Sequence, residues 1–179
     1  MAILKIARMG HPILKEKAKP IDNISAPEIT RLIHDMLETL ADSRGIGLAA
    51  PQVYCSLRLM MFMVPKERMD NNTDVPLTIL INPEFTPLSE EKELGWEGCL
   101  SVPGFMGKVP RYTHIKYRGQ TPKGEWIEQE AKDYHARVFQ HEYDHLDGIL
   151  YPMRMTDLTL LGFREEMTQY LDSGEEVDE

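Results

Sequence analysis

Only two cysteines, Cys55 and Cys99, occur among the 179 residues. A disulfide-stapled secreted scaffold carries more of them, at even spacing. Both thiols are therefore read as free, and the compartment as reducing. Cations are also scarce: 20 Lys and Arg face 29 Asp and Glu, for a net charge of −9. A sequence-independent grip on nucleic acid needs cations to neutralise phosphate. Lys15, Lys17 and Lys19, interrupted by Glu16, are too few for a basic patch. Long apolar runs are missing as well. One of the longest, Leu59 to Val64, stops at Pro65, far short of the roughly 20 residues that a membrane-spanning helix needs. The first ten residues show no apolar core and no small-residue cleavage site of a secretion signal. The expected location is cytoplasmic.

What is present suits one globular unit. Hydrophobic residues make up 42% and charged residues 27%, the balance of an ordinary core-forming chain. A single domain over residues 1–172 is expected, followed by an acidic, disordered tail over 173–179.

The clearest helix is expected after Ser25, which with Glu28 has capping-box spacing. Ile29, Leu32, Ile33, Met36, Leu37 and Leu40 then recur at helical intervals. Short strands are expected at Leu57–Met63, at Thr78–Ile81 (ended by Asn82-Pro83) and at Tyr112–Arg118. Trp126–Ala131 reads as the hairpin partner of the last, across a turn bracketed by Gly119 and Gly124. Helical period returns from Tyr134 to about Leu146, with Asp133 as N-cap and Asp147-Gly148 as its end. A last amphipathic helix is expected over Asp157–Leu171, burying Leu160, Leu161, Phe163 and Met167. This is an α+β pattern. Antiparallel sheets would pack around a central helix, with one helix before them and one at the C-terminus.

The sharpest chemical signal lies on that central helix: His141-Glu142-Tyr143-Asp144-His145. Positions four apart share a helical face, so His141 and His145 can hold one metal ion. Glu142, one residue along, can then serve as acid/base. A surface helix that happens to carry these residues is the plainer reading, and it leaves the spacing unexplained. A hydrolytic metal site uses three protein ligands and keeps one position open. Glu165 and Glu166 are downstream candidates for the third ligand. Upstream, Glu97-Gly98-Cys99-Leu100-Ser101 offers a thiolate at Cys99, which is favoured. The ligand types suit zinc, iron(II), nickel or cobalt. Cys55 is read as structural. His11, His34, His114 and His135 are read as turn, surface or packing residues.

A third segment, Gly45-Ile46-Gly47-Leu48-Ala49-Ala50-Pro51-Gln52, lets a ligand backbone approach its glycines closely. Gln52 adds an amide donor suited to an oxyanion. The segment lacks the ending of a phosphate loop.

Together, G-I-G-L-A-A-P-Q at 45–52, E-G-C-L-S at 97–101 and Q-H-E-Y-D-H-L-D-G at 140–148 resemble the three signature blocks of peptide deformylases. The resemblance extends from about Ile6 to Arg154 and is similar to the form found in many Gram-negative bacteria and organelles. It implies that the N-formyl group is hydrolysed from N-formylmethionyl peptides. Cys99, His141 and His145 would hold one divalent ion, with iron(II) implied as physiological. Glu142, Gln52 and the backbone N–H of Leu100 would be catalytic. Ile46, Gly47 and Gly98 would bind the peptide backbone as an added strand. The ribosome near the nascent-chain exit is an implied partner. Arg137 and Met106 depart from the pattern, where an aliphatic residue and an arginine are frequent.

Overall fold

In the computed structural model, residues 2–69 and 73–167 are described. Among the described residues three α-helices are present: α1 (Pro27–Ser43), α2 (Asp133–Leu146) and α3 (Arg164–Met167). The strands are β1 (Gly47–Ala49), β2 (Leu59–Val64), β3 (Val75–Pro87), β4 (Lys92–Gly98), β5 (Phe105–Tyr112), β6 (His114–Gln120), β7 (Trp126–Lys132) and β8 (Leu161–Phe163). They form a five-stranded sheet, β1-β2-β3-β6-β7, and a three-stranded sheet, β4-β5-β8. Every pairing in both sheets is antiparallel. Among the described residues, no helix is long and apolar enough to cross a membrane.

Helix α2 touches both sheets, which is what places the site. It packs on β1, β2, β6 and β7 on one side and on β5 on the other. Its Ala136, Val138, Phe139 and Leu146 join Phe62, Leu80, Ile115 and Tyr117 in one core. A helix that must bury two flanks carries little polar surface except where function holds it. Helix α1 covers a second core through Ile29, Ile33, Met36 and Leu40 against Leu48, Leu59, Met61 and Ile81.

Several local expectations are corrected. Pro27 occupies the first turn of α1, Ala26 is the N-cap, and no side chain caps it. Ser25 Oγ instead donates to Asn23 Oδ1 at 2.8 Å, because a fixed proline φ starts the helix after the serine. Asp133 is not the N-cap of α2; Lys132 is, and Asp133 enters the helix at φ 52°. Strand β3 does not stop at Asn82-Pro83. It continues to Pro87 through a register irregularity between Ile81 and Glu84, with Asn82 at φ 51°. A bulge lets a strand absorb a residue that cannot donate. Gly119 lies inside β6, and the turn falls after it.

The expected helix over Asp157–Leu171 is largely replaced. Leu158–Leu160 is a short 3-10 turn capped by Asp157, and Leu161–Phe163 adds to β5 as a strand. Leu160 and Leu161 are half-buried, Met167 is buried and Phe163 is exposed. Residues 168–171 and the expected tail at 173–179 lie outside the described residues.

Candidate active site

His141 and His145 sit on one face of α2, their ring centroids 5.1 Å apart. Cys99 arrives from the turn immediately after β4. Its Sγ lies 3.4 Å from His145 Nε2. One ligand atom from each of the three residues falls within 4.8 Å of the others. Cys99 and His145 are buried and His141 is half-buried. The expected alternatives, Glu165 and Glu166, are exposed on α3 and stand apart from this cluster. A thiol and two imidazoles fit a borderline-soft divalent ion such as zinc or iron(II). Three donors rather than four also leave one position for a reactant.

A buried charge network holds the histidines. His141 Nδ1–H donates to Glu97 Oε2 at 2.8 Å, which leaves its Nε2 for the cluster. Arg111 forks onto the same carboxylate, with Nε 2.8 Å from Oε1 and Nη2 2.9 Å from Oε2. Arg111 Nη1 also reaches Asp144 Oδ2 at 2.5 Å, and Arg154 closes on Asp144 from outside. Burial alone would raise the Glu97 carboxyl. The charge and hydrogen bonds of Arg111, with His141, instead hold it well below the usual carboxylate range. Glu97 is therefore an anion that orients a ring, the usual partner of a ligating histidine. Burial and the neighbouring charge of His141 push His145 down, toward its neutral, donor-competent form.

Glu142 is buried, and burial pushes its carboxyl up to about 7. Its Oε2 has no hydrogen-bond partner among the described residues. A carboxyl near neutrality can both take and return a proton. The close approach of β1 makes room for it: a Cβ on Gly47 would collide with Glu142 Oε1. Gln52 is fixed by Ala49 N–H donating to its Oε1 at 2.9 Å. Its Nε2 then points at Ser101 Oγ (3.2 Å) and Cys99 Sγ (3.6 Å).

These residues border one pocket. Ile46, Gly47, Gln52, Gly98, Leu100 and Glu142 all line it, beside Cys99 and His141. So the structure brings together every residue expected of the site, with His145 just behind. Arg137 walls the same pocket, as do Trp96, Tyr134 and Val138, which no sequence signal singles out. The sequence does not announce the pairing of Glu97, Arg111 and Asp144, although Glu97 and Asp144 stand in two of the three blocks. Met106 does not line the pocket; it is fully buried against Trp96 and Met167. His135 bonds Tyr117, His11 caps a 3-10 turn and His114 pairs with Glu130, all away from the cluster. Both cysteines are unpaired.

An antiparallel α+β frame that sets a Cys-His-His cluster beside a buried glutamate is that of a metal-dependent hydrolase. Comparison with known proteins makes the class specific. The polypeptide deformylase family profile matches residues 3–160. Peptide deformylase 1 of Bordetella pertussis is 52% identical over 170 residues, covering 93% of this chain and 96% of the relative. Peptide deformylase 2 of Ralstonia nicotianae is 49% identical over 164 residues, covering 91% and 93%. Among solved structures, peptide deformylase from Thermotoga maritima superposes with a TM-score of 0.77 at 35% identity, covering 87% of this chain and 99% of that one. A Met-Ala-Ser-bound class I type b peptide deformylase from Acinetobacter baumannii gives 0.79 at 36% identity, covering 86% and 98%. The chain belongs to the polypeptide deformylase family, hydrolases that remove the N-formyl group from nascent peptides.

Proposed function

We propose that Cys99, His141 and His145 hold one divalent metal ion, iron(II) in the cell, and that Glu142 moves the protons in deformylation of N-formylmethionyl peptides. Zinc, nickel or cobalt fits the same donors. When bound, such an ion polarises the formyl oxygen and lowers the pKa of a water. Glu142 takes a proton as water attacks the formyl carbon, then gives it to the leaving amine. Gln52 Nε2 and the N–H of Leu100 donate to the oxygen on which charge develops. Ile46, Gly47 and Gly98 bind the peptide backbone as an added strand. The methionine side chain enters the pocket walled by Trp96, Tyr134 and Val138. Products are formate and a peptide with a free N-terminal methionine. The setting is the cytoplasm, near the ribosomal exit where formylated chains emerge.

The observation that carries this reading is the convergence of Cys99, His141 and His145 within 4.8 Å beside the buried Glu142. The test is formate release from formyl-Met-Ala-Ser by wild type and Glu142→Ala, each loaded with Ni²⁺ or Fe²⁺. Release by wild type and loss of most of that rate in the variant is expected. No release by metal-loaded wild type would sink the assignment.

A further inference from the structure

One turn ahead of His141 on α2, Arg137 is buried to 7% relative exposure. Its guanidinium turns to the β4–β5 hairpin. Nη2 donates to the Glu93 carbonyl at 2.8 Å. Nη1 donates to the carbonyls of Val109 (2.8 Å) and Gly95 (3.3 Å) and to Glu97 Oε1 (3.1 Å). One side chain thus ties helix α2 to strands β4 and β5 and ends on a carboxylate. That carboxylate is the one whose other oxygen takes the His141 Nδ1 hydrogen.

A second feature is built for the same contact. A Cβ on Gly95 would lie 2.7 Å from Arg137 Cζ, far inside van der Waals contact. The strand therefore carries a glycine where the guanidinium crosses it. Arg111 already forks onto Glu97, so charge compensation alone does not require a second arginine. What Arg137 adds is direction. It adds a donor to Oε1 from the helix turn just before His141 while Oε2 stays with His141, so the carboxylate is tied to α2 as well as to β5. A purely structural tie between helix and hairpin would be complete at the three carbonyls.

We propose that Arg137 is a positioning residue: through Glu97 it fixes the ring of His141, and so the Nε2 that His141 presents to Cys99 and His145. It acts on the metal cluster without touching it. This inference rests on the ligand role proposed for those three residues. Supporting groups behind a ligating histidine typically change metal affinity about 10–100-fold when removed. Arg137 stands one residue further back, so the lower end applies.

The experiment titrates Co²⁺ into metal-free wild type, Arg137→Leu, Arg137→Lys and Gly95→Ala, following the thiolate-to-cobalt absorption. Arg137→Leu and Gly95→Ala should each weaken Co²⁺ binding about tenfold and shift the band. With formyl-Met-Ala-Ser, kcat should fall by a similar factor while KM moves less than about twofold. Gly95→Ala keeps the arginine, so its loss cannot come from deleting a charge. Should Arg137→Leu fail to fold, Arg137→Lys decides on the same readout, since an ammonium cannot span Glu97 and three carbonyls. A folded Arg137 variant with wild-type cobalt affinity and band would overturn the proposal and leave only a strand tie. Wild type that gives the cobalt band but releases no formate would sink the proposed reaction and spare this inference; wild type with no band would remove both.

Discussion

Arg111 Nη1 lies 2.5 Å from Asp144 Oδ2, so the end of β5 grips helix α2 between the two histidines. The two side chains are 5% and 7% exposed, and Asp144 also receives Arg154. Breaking a buried pair from one side leaves an uncompensated charge, at a cost of about 3–5 kcal/mol. Asp144→Asn should therefore lower the thermal midpoint by roughly 10 °C for a chain of this size. Calorimetry checks this. A change under about 2 °C would mean the network relaxes around the loss.

Gly47 is held against Glu142 with no room for a methyl group. Gly47→Ala should displace the carboxylate and cut kcat on formyl-Met-Ala-Ser by about 100-fold, the scale of an ångström-sized misplacement. Far-UV circular dichroism should stay unchanged. Activity within twofold of wild type would show that this contact does not position Glu142.

His135 supplies a pH dependence. Burial pushes its imidazole from 6.5 down to about 4 in the fold. Above the unfolded value both states are neutral, and stability is at its full level. As pH falls from about 6.5 towards 4, the unfolded chain takes a proton that the fold refuses, and stability drops by on the order of 3 kcal/mol. Urea unfolding at pH 8, 6, 5 and 4.5 should show a smaller drop for His135→Asn. Parallel curves for the two proteins would remove His135 as the cause.

Metal binding should report on Cys99 directly. With Ni²⁺ at about 100 times its dissociation constant, wild type gains roughly 3 kcal/mol, or 5–10 °C in thermal midpoint. Cys99→Ala should lose most of that rise, whereas Cys55→Ala should keep it. An equal rise in both variants would place the ion elsewhere.

Much of this was legible in the residues. Spacing four apart on a helix needs only local geometry, so His141, Glu142 and His145 were readable directly. The β6–β7 hairpin was readable because its turn and alternation are local. Strand β4, Lys-Glu-Leu-Gly-Trp-Glu-Gly, was not, since five of its seven residues are charged or glycine. It is a strand because β5 pairs along its whole length. The same holds for β8, whose three residues become a strand only by adding to β5. Glu97 and Arg111 lie 14 residues apart on the two strands of the β4–β5 ladder, paired with Gly107 and Glu93 rather than with each other, and only their side chains meet. Arg137 looked like an intrusion on an aliphatic position, and only the tertiary contacts reveal its acceptors.

The cluster draws on parts of the chain that are remote from one another: Cys99 and His145 are 46 residues apart, and Gln52 and Cys99 are 47 apart. Neither hairpin nor helix carries the donor set alone. An ion that needs all three donors therefore recognises only molecules in which the small sheet has docked on α2. Its uptake is a proofreading signal for completed folding, and a chain trapped with the two sheets apart would be spectroscopically silent to cobalt.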